Sequence, residues 1–359
     1  MSETLTVREY NSLEQFGQQD LPFTCREAWA PHLWSKIGFP ISVNSLDELR
    51  FCSDSMQYHR IDQILKNLAK SVTSIELDDA KQIMQIMSKM FGRSHRTVPY
   101  TSILNAIYQL RVIQQVVPSA RSVFEIGPGP GYLAYLAHKR LGVKSRISCL
   151  ENVQAFYLHQ NLFLEKTGNL LELARGYPKV KGRGGKIEHV PWWVFAQNYQ
   201  LDHEVIFGGH VICEMSERSV RQVLARAVAN CEVPILILES SGDQRFTQMH
   251  SRIDLILEYG FVPSFEQSDL YVFVHPNSKP AIHRDVANFV STFKFKTKAR
   301  WHLSNIKDLK AMEEEDFYLK LLLYGKDNQK IVTTDYIAAE YQKYNVICWD
   351  EQFLSEIRA

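Results

Sequence analysis

An apolar run, Ser122-Val-Phe-Glu-Ile126, passes directly into Gly127-Pro-Gly129-Pro-Gly131-Tyr132. Glycine lets a backbone turn tightly and approach a ligand with no Cβ in the way, and a strand, such a turn and a helix start together aim backbone N–H groups at that ligand. The spacing is G-x-G-x-G. The third glycine of the dinucleotide pattern G-x-G-x-x-G would fall at 132, which is Tyr132. Glu125 stands two residues before the first glycine, where a diphosphate would lie; a carboxylate there repels phosphate and suits an ammonium group. A second acid, Glu151, ends the next strand-like run, 20 residues after Gly131. A carboxylate at that place can accept hydrogen bonds from both hydroxyls of a ribose.

A ligand with a ribose and an ammonium and no pyrophosphate answers to both acids, and S-adenosyl-L-methionine fits that description. On the segment Glu125 to Tyr132, EIGPGPGY, and on the strand-end Glu151, the chain from Ser122 to Val274 resembles the class I S-adenosylmethionine-dependent methyltransferases. The resemblance implies a doubly wound, mostly parallel, seven-stranded Rossmann-like sheet. It also implies that Gly127, Gly129 and Gly131 line the methionine and ribose, that Glu125 faces the amino end through water, and that Glu151 holds the ribose diol. Asn152 would contribute to the adenosine pocket. Family members often place an acid near the adenine amino group after the third strand. Here that stretch reads Ile187-Glu-His-Val-Pro-Trp-Trp193, with Glu188 inside the strand, so Val190 is the residue expected at the adenine.

The fourth predicted strand runs out through Phe207-Gly-Gly-His210-Val-Ile-Cys-Glu214-Met-Ser216. Ligands in open α/β sheets bind beyond the carboxyl ends of the strands. Gly208 and its neighbour Gly209 permit close approach to the methionine portion, and His210 and Glu214 follow at the rim. An acceptor hydroxyl must lose its proton as a methyl group arrives, which suits His210 as general base, with Glu214 orienting it or gripping the substrate. The plainer readings are a packing histidine and a helix-start charge. The phrase His210 to Met215 resembles a bacterial sugar O-methyltransferase group, which implies methylation of a saccharide or natural-product hydroxyl. Glu239-Ser-Ser-Gly-Asp243 offers polar groups to an acceptor, and Trp192 and Trp193 are either an aromatic wall or core. Tyr100, read as lying in the loop before a helix, is a further cofactor contact. Glu214, Glu239 and Asp243 leave a bound metal open, but no recognised metal-ligand spacing is present, and no metal site is assigned.

The elements that must carry these residues divide the chain into three stretches. Residues 1–119 read mainly as helix: apolar positions recur at helical spacing in 57–69, in 76–91 and in 101–117, a region expected to fold over the site as a lid. Residues 120–276 alternate strands (122–126, 146–150, 186–190, 204–207, 233–238, 271–274) with helices (132–141, 154–164, 220–227, 249–259), with Ser216 as an N-cap. Residues 277–359 read as a mixed α+β appendage, with a strand-like Phe293 to Lys298 and a helix opening at Glu313 to Asp316.

The chain has 359 residues, 45% of them apolar and 23% charged, the composition of a globular protein. Lys and Arg number 41 against 40 Asp and Glu, so no whole-protein field draws it to nucleic acid or to anionic membrane. The six cysteines never form C-x-x-C, and no secretory start or membrane-length apolar run is visible, which together predict a cytoplasmic enzyme acting on a small-molecule acceptor. Oligomeric state is not legible. Three rivals stand beside this reading. A nucleic-acid methyltransferase would use residues 279–300, with six Lys/Arg against one Asp, although no Asp/Asn-Pro-Pro-Tyr/Phe segment accompanies them. A non-catalytic adenosylmethionine-binding protein would bind without turnover. A nicotinamide dehydrogenase is opposed by Tyr132 and Glu125.

Overall fold

A computed structural model of the chain describes residues 4–31, 41–49, 72–91, 100–142, 144–176, 185–239, 249–267 and 270–292. The helix expected at 57–69, the stretch from Ser240 to Asp243, the strand expected at 293–298 and the acidic helix start at 313–316 lie outside them.

Strand β1 (Ser122–Ile126) is the hub. It pairs in parallel with β2 (Arg146–Glu151) on one side and with β5 (Val205–Gly209) on the other. Outward from β2 lie β4 (Ile187–Pro191) and the three-residue β3 (Leu170–Glu172). Outward from β5 lie β6 (Ile235–Glu239), then β8 (Leu270–Val274) and β7 (Val262–Gln267). The order is β3-β4-β2-β1-β5-β6-β8-β7, and β8 alone runs against its neighbours. The sheet has eight strands, against the seven that the resemblance implies and the six located along the sequence. The two not located are the short edge strand β3, whose three residues carry no alternation that could betray it, and β7, where Pro263 interrupts the pattern and a register irregularity follows.

The chain leaves β1 in both directions, so the strand order reverses between β1 and β5. That switch point opens a crevice at the carboxyl ends of the two strands, where the doubly wound fold places ligands. Ile126 is in register with Gly208, which brings the glycine turn and the Gly209-His210 end of β5 side by side.

Period-two alternation assigns the strand side chains to two cores. Val123, Ile147, Val205, Phe207 and Ile237 face one layer, built by α3 (Ser74–Phe91), α4 (Tyr100–Val116), α5 (Tyr132–Leu141) and α10 (Pro280–Thr292). Phe124, Ile126, Leu150, Ile206 and Leu238 face the other. That layer holds α1 (Val7–Gly17), α2 (Phe23–Trp29), α6 (Gln154–Lys166), α7 (Trp192–Asn198), α8 (Glu217–Val228) and α9 (Met249–Glu258). Glu125 shares the face of Val123, so it points under α4 and α5.

Several local signals do what their chemistry predicts. Ser216 caps α8, its hydroxyl accepting from the Ser219 N–H. Thr73 and Glu76 form a reciprocal capping box at the start of α3: Glu76 N donates to Thr73 Oγ1, and Thr73 N donates to Glu76 Oε2 at 2.8 Å. Glu76 is then taken by Arg111 of α4, and Asp79 by Lys139 and Arg140 of α5, so α3 is tied to both helices that cover the crevice. Gly260 ends α9 at a φ of +83°. The strip from residue 279 is helical over Pro280–Thr292, ahead of the strand expected at 293–298, which lies outside the described residues. Ile282, Val286 and Phe289 recur at helical spacing and enter the core, while four of its six basic residues lie outside the described residues.

Candidate functional site

The turn after β1 is built on left-handed glycines: Gly127, Gly129 and Gly131 have φ of +61°, +55° and +83°. Such angles disfavour every L side chain, and Gly127 has a second reason to lack one, since a Cβ there would lie 2.6 Å from Val211. Gly127 N donates to Leu150 O and Gly131 N to Pro128 O, each at 2.9 Å, which fixes the loop. Gly131 is the N-cap of α5, whose first turn carries no acid, so the helix presents an uncompensated positive end at the loop.

Two cavities meet at Gly127. The first is bounded by Glu125, Gly127, Gly129 and Tyr132 below and by Ser102, Asn105 and Gln109 of α4 above, with Gly209 at its side. The second is bounded by Ile126, Leu150, Asn152, Val211 and Glu214, and by Trp29 and Ala30 at the end of α2.

Glu125 is 4% exposed, and its Oε2 has no hydrogen-bond partner. Burial pushes its pKa up to about 8, against the lowering effect of the Ala134 backbone N–H and with a further push from Glu151. A buried carboxyl held in this state is poised to ionise when a cation arrives. Glu151, equally buried, accepts from the backbone N–H groups of Asn152 and Val153 at 2.8 and 2.9 Å and from Gln160 Nε2 at 3.1 Å. Burial raises its pKa to about 7, and the Val153, Asn152 and Gln160 donors restrain the rise.

Asn152 lines the second cavity and donates from Nδ2 to Trp29 O at 2.8 Å. Ser216 Oγ donates to Ala28 O, and Trp29 Nε1 donates to Gln222 at 2.7 Å. The amino-terminal segment is thus pinned across the second cavity by three later side chains, one following β2 and two at α8 and its cap.

His210 follows β5 with a φ of +60°, and among the described residues it is the non-glycine residue found there. A left-handed conformation costs an ordinary residue roughly 1 kcal/mol, and such residues concentrate at functional sites. Its N–H donates to Glu239 O at 3.0 Å. Gly209 lines the first cavity and Val211 and Glu214 the second; the half-buried His210 lies between them in the chain and bounds neither itself.

The remaining candidates sit elsewhere. Gly208 is packed among Ile212, Leu238 and Val211, and its neighbour Gly209 is the glycine at the first cavity. Val190 is fully buried in mid-sheet opposite Leu150 and bounds neither cavity. Tyr100 is the first residue of α4, not part of a loop before it. Trp192 and Trp193 open α7 inside the core, Trp192 donating to Glu14. Sequence reasoning took α4 for a plain apolar helix. It missed the buried polar row Ser102, Asn105 and Gln109, at spacings of three and four, whose signal was the polar residues recurring on one face. It also missed Trp29 and Gln160. Among the described residues no helix is long and apolar enough to cross a membrane.

No protein-family model and no curated protein matches the chain. Among solved structures it is similar to an O-methyltransferase from Bacillus cereus in complex with SAH, at 15% identity over 55% of this chain and 89% of that one, TM-score 0.34. It is similar to the mitomycin 7-O-methyltransferase MmcR at 13% identity over 76% of this chain and 73% of that one, TM-score 0.35. An O-methyltransferase family protein from Burkholderia thailandensis shares 14% identity over 50% of this chain and 60% of that one, TM-score 0.29. These solved neighbours carry the names of methyltransferases; in its own strand order and glycine turn, the chain has a Rossmann-like α/β fold.

Proposed function

We propose that the protein binds S-adenosylmethionine in the paired cavities and transfers its methyl group to a hydroxyl of a small molecule, a sugar or natural product. The observation that carries the reading is the unpartnered, buried Oε2 of Glu125 at the bottom of the first cavity. An α-ammonium group supplies the missing donor and the positive charge that lets this carboxyl ionise, whereas a phosphate would oppose its ionisation.

The amino-acid end then lies between Glu125 and the α4 row, with Ser102 and Asn105 able to donate to its carboxylate. The glycine turn passes beneath the sulfur, Glu151 accepts from the ribose, and Asn152, Val211 and Trp29 enclose the base. When bound, the sulfonium supplies an electrophilic methyl group. The chain's own contribution is to exclude water, align the acceptor oxygen and remove its proton. His210, next in the chain to cavity-lining Gly209 and Val211, is the candidate base, worth about 10²–10⁴-fold in rate, and Glu214 is its candidate partner or a grip on the acceptor.

Isothermal titration with adenosylmethionine and adenosylhomocysteine tests the binding, and labelled-methyl transfer onto a small-molecule extract tests the reaction. Micromolar binding that Glu151→Ala weakens at least about tenfold is expected from the loss of a buried acceptor. No heat of binding to the wild-type chain at millimolar ligand would end the reading.

A further inference from the structure

Beneath Glu151 lies a chain of buried polar side chains that the proposed reaction does not itself call for. Gln160 of α6 is fully buried. Its Nε2 donates to Gly129 O at 2.7 Å and to Glu151 Oε2 at 3.1 Å, so a single amide ties the glycine turn to the carboxylate at the end of β2. Its Oε1 faces His189 Nε2 of β4 at 2.9 Å. On the other side of that ring, His189 Nδ1 lies 3.1 Å from Glu172 Oε2 of β3.

The orientation of each group follows from what its neighbours can do. A backbone carbonyl only accepts, so the nitrogen of Gln160 must face Gly129, and the oxygen must face His189. An amide oxygen only accepts, so His189 Nε2 must carry a hydrogen. Glu172 fixes the ring from behind. Tyr157 OH and the Ala174 N–H donate to its Oε1, and Asn161 Nδ2 donates to its Oε2. Burial works to raise the Glu172 pKa, but His189 and these donors outweigh it and hold it below the ordinary value. Tyr157 also stacks on the imidazole at 3.8 Å between centroids. The ring can neither flip nor tilt without stranding a buried polar atom at a cost of about 1–3 kcal/mol.

We propose that Gln160 and His189 are positioning residues for the ribose site: the His189 Nε2–H holds Gln160 Oε1, and this turns the amide nitrogen to lock Glu151 and the Gly129 carbonyl in one geometry. The inference rests on the cofactor reading above. It adds that the site's rigidity comes from β3 and β4, two strands that do not themselves touch the ligand. Leu5 N donates to Asn161 Oδ1, so the same relay also reaches the amino-terminal segment.

Two measurements on the full chain test it. Nitrogen-15 NMR of the histidine rings, with His189 assigned by its disappearance in His189→Gln, reads the proton directly and needs no ligand. At pH 7 Nε2 should be a protonated nitrogen; a ring protonated on Nδ1 alone overturns the proposal. Titration of adenosylhomocysteine into Gln160→Glu supplies the second. This variant keeps an acceptor for His189 and removes the NH2 group, so binding at pH 8 should weaken about tenfold or more while the His189 signal persists. The ratio to wild type should then narrow toward pH 6, as the introduced carboxyl gains a proton and donates again. Glu151, His189, Glu172 and Tyr157 are the titratable groups around it, and all are shared with the wild type. Unchanged affinity in Gln160→Glu, or a deficit independent of pH, overturns the positioning role. If the wild-type chain binds no adenosylhomocysteine, the cofactor reading fails instead, and the NMR result still stands or falls separately.

Discussion

Gln109 Nε2 donates to Glu239 Oε2 at 2.7 Å, and the bond passes directly over Gly209. Helix α4 is thereby fastened to the end of β6 across the end of β5, closing the first cavity from above. A Cβ on Gly209 would collide with that amide. Gly209→Ala is therefore expected to break the bridge and lower stability by about 1–3 kcal/mol, and to loosen the cofactor site with it. Urea unfolding with and without adenosylhomocysteine reads both effects; a variant with wild-type midpoints in both titrations would contradict the bridge.

The two buried carboxyls make stability fall as pH rises. Glu125 has a folded-state pKa of about 8 and Glu151 one of about 7, both above the ordinary value of 4.5. The folded state therefore holds protons that the unfolded chain has released, and the associated stability is complete below about pH 4.5 and lost as pH rises through 7 to 8. The melting temperature of the ligand-free protein should drop across that window, and Glu125→Gln should flatten the drop.

Cofactor affinity should move the other way. Glu125 must shed its proton to pair with an ammonium, so binding strengthens as pH rises toward about 8 and then levels. Titrations in buffers of different ionisation enthalpy should register proton release at pH 7, and Glu125→Gln should abolish that release while weakening binding by roughly 2 kcal/mol. Proton uptake at pH 7 would mean the charge on the ligand has been misassigned.

His210 separates rate from affinity. His210→Ala should reduce methyl transfer by about 10²–10⁴-fold with little change in adenosylhomocysteine binding. His210→Gly should be equally slow yet more stable than His210→Ala by about 1 kcal/mol, because glycine accepts the left-handed backbone. Rates and denaturation midpoints of the pair settle the matter; near-normal turnover in either removes His210 as base.

Trp29 ties the amino-terminal segment to the second cavity, the proposed nucleoside end. Trp29→Ala loses a buried ring and the bond to Gln222, an expected cost of about 3–5 kcal/mol, and should weaken adenosine binding along with adenosylmethionine. Equal affinity for adenosine in a folded variant would show that Trp29 does not enclose the base.

What could be read along the chain was local. The bounds of β1 and α5 and the cap at Ser216 follow from apolar periodicity and from residues within a turn of one another, and the structure returns them at those positions. The doubly wound architecture follows from strand–helix alternation, and the proposed ribose and ammonium preference from two acids at set distances from the glycines. The tertiary structure alone decided which polar groups converge. Ser102, Asn105 and Gln109 look like interruptions of an apolar helix until β1 and β5 place a cavity beneath them. Gln160 looks like any mid-helix glutamine until β4 brings His189 to its oxygen and β1 brings Gly129 to its nitrogen. Trp29, 123 residues before Asn152, meets it only because the fold brings the end of α2 to the residue that follows β2. Hydrophobic period is written into neighbouring residues. The partner of a buried polar atom is set by strand order and register, which no short window of sequence contains.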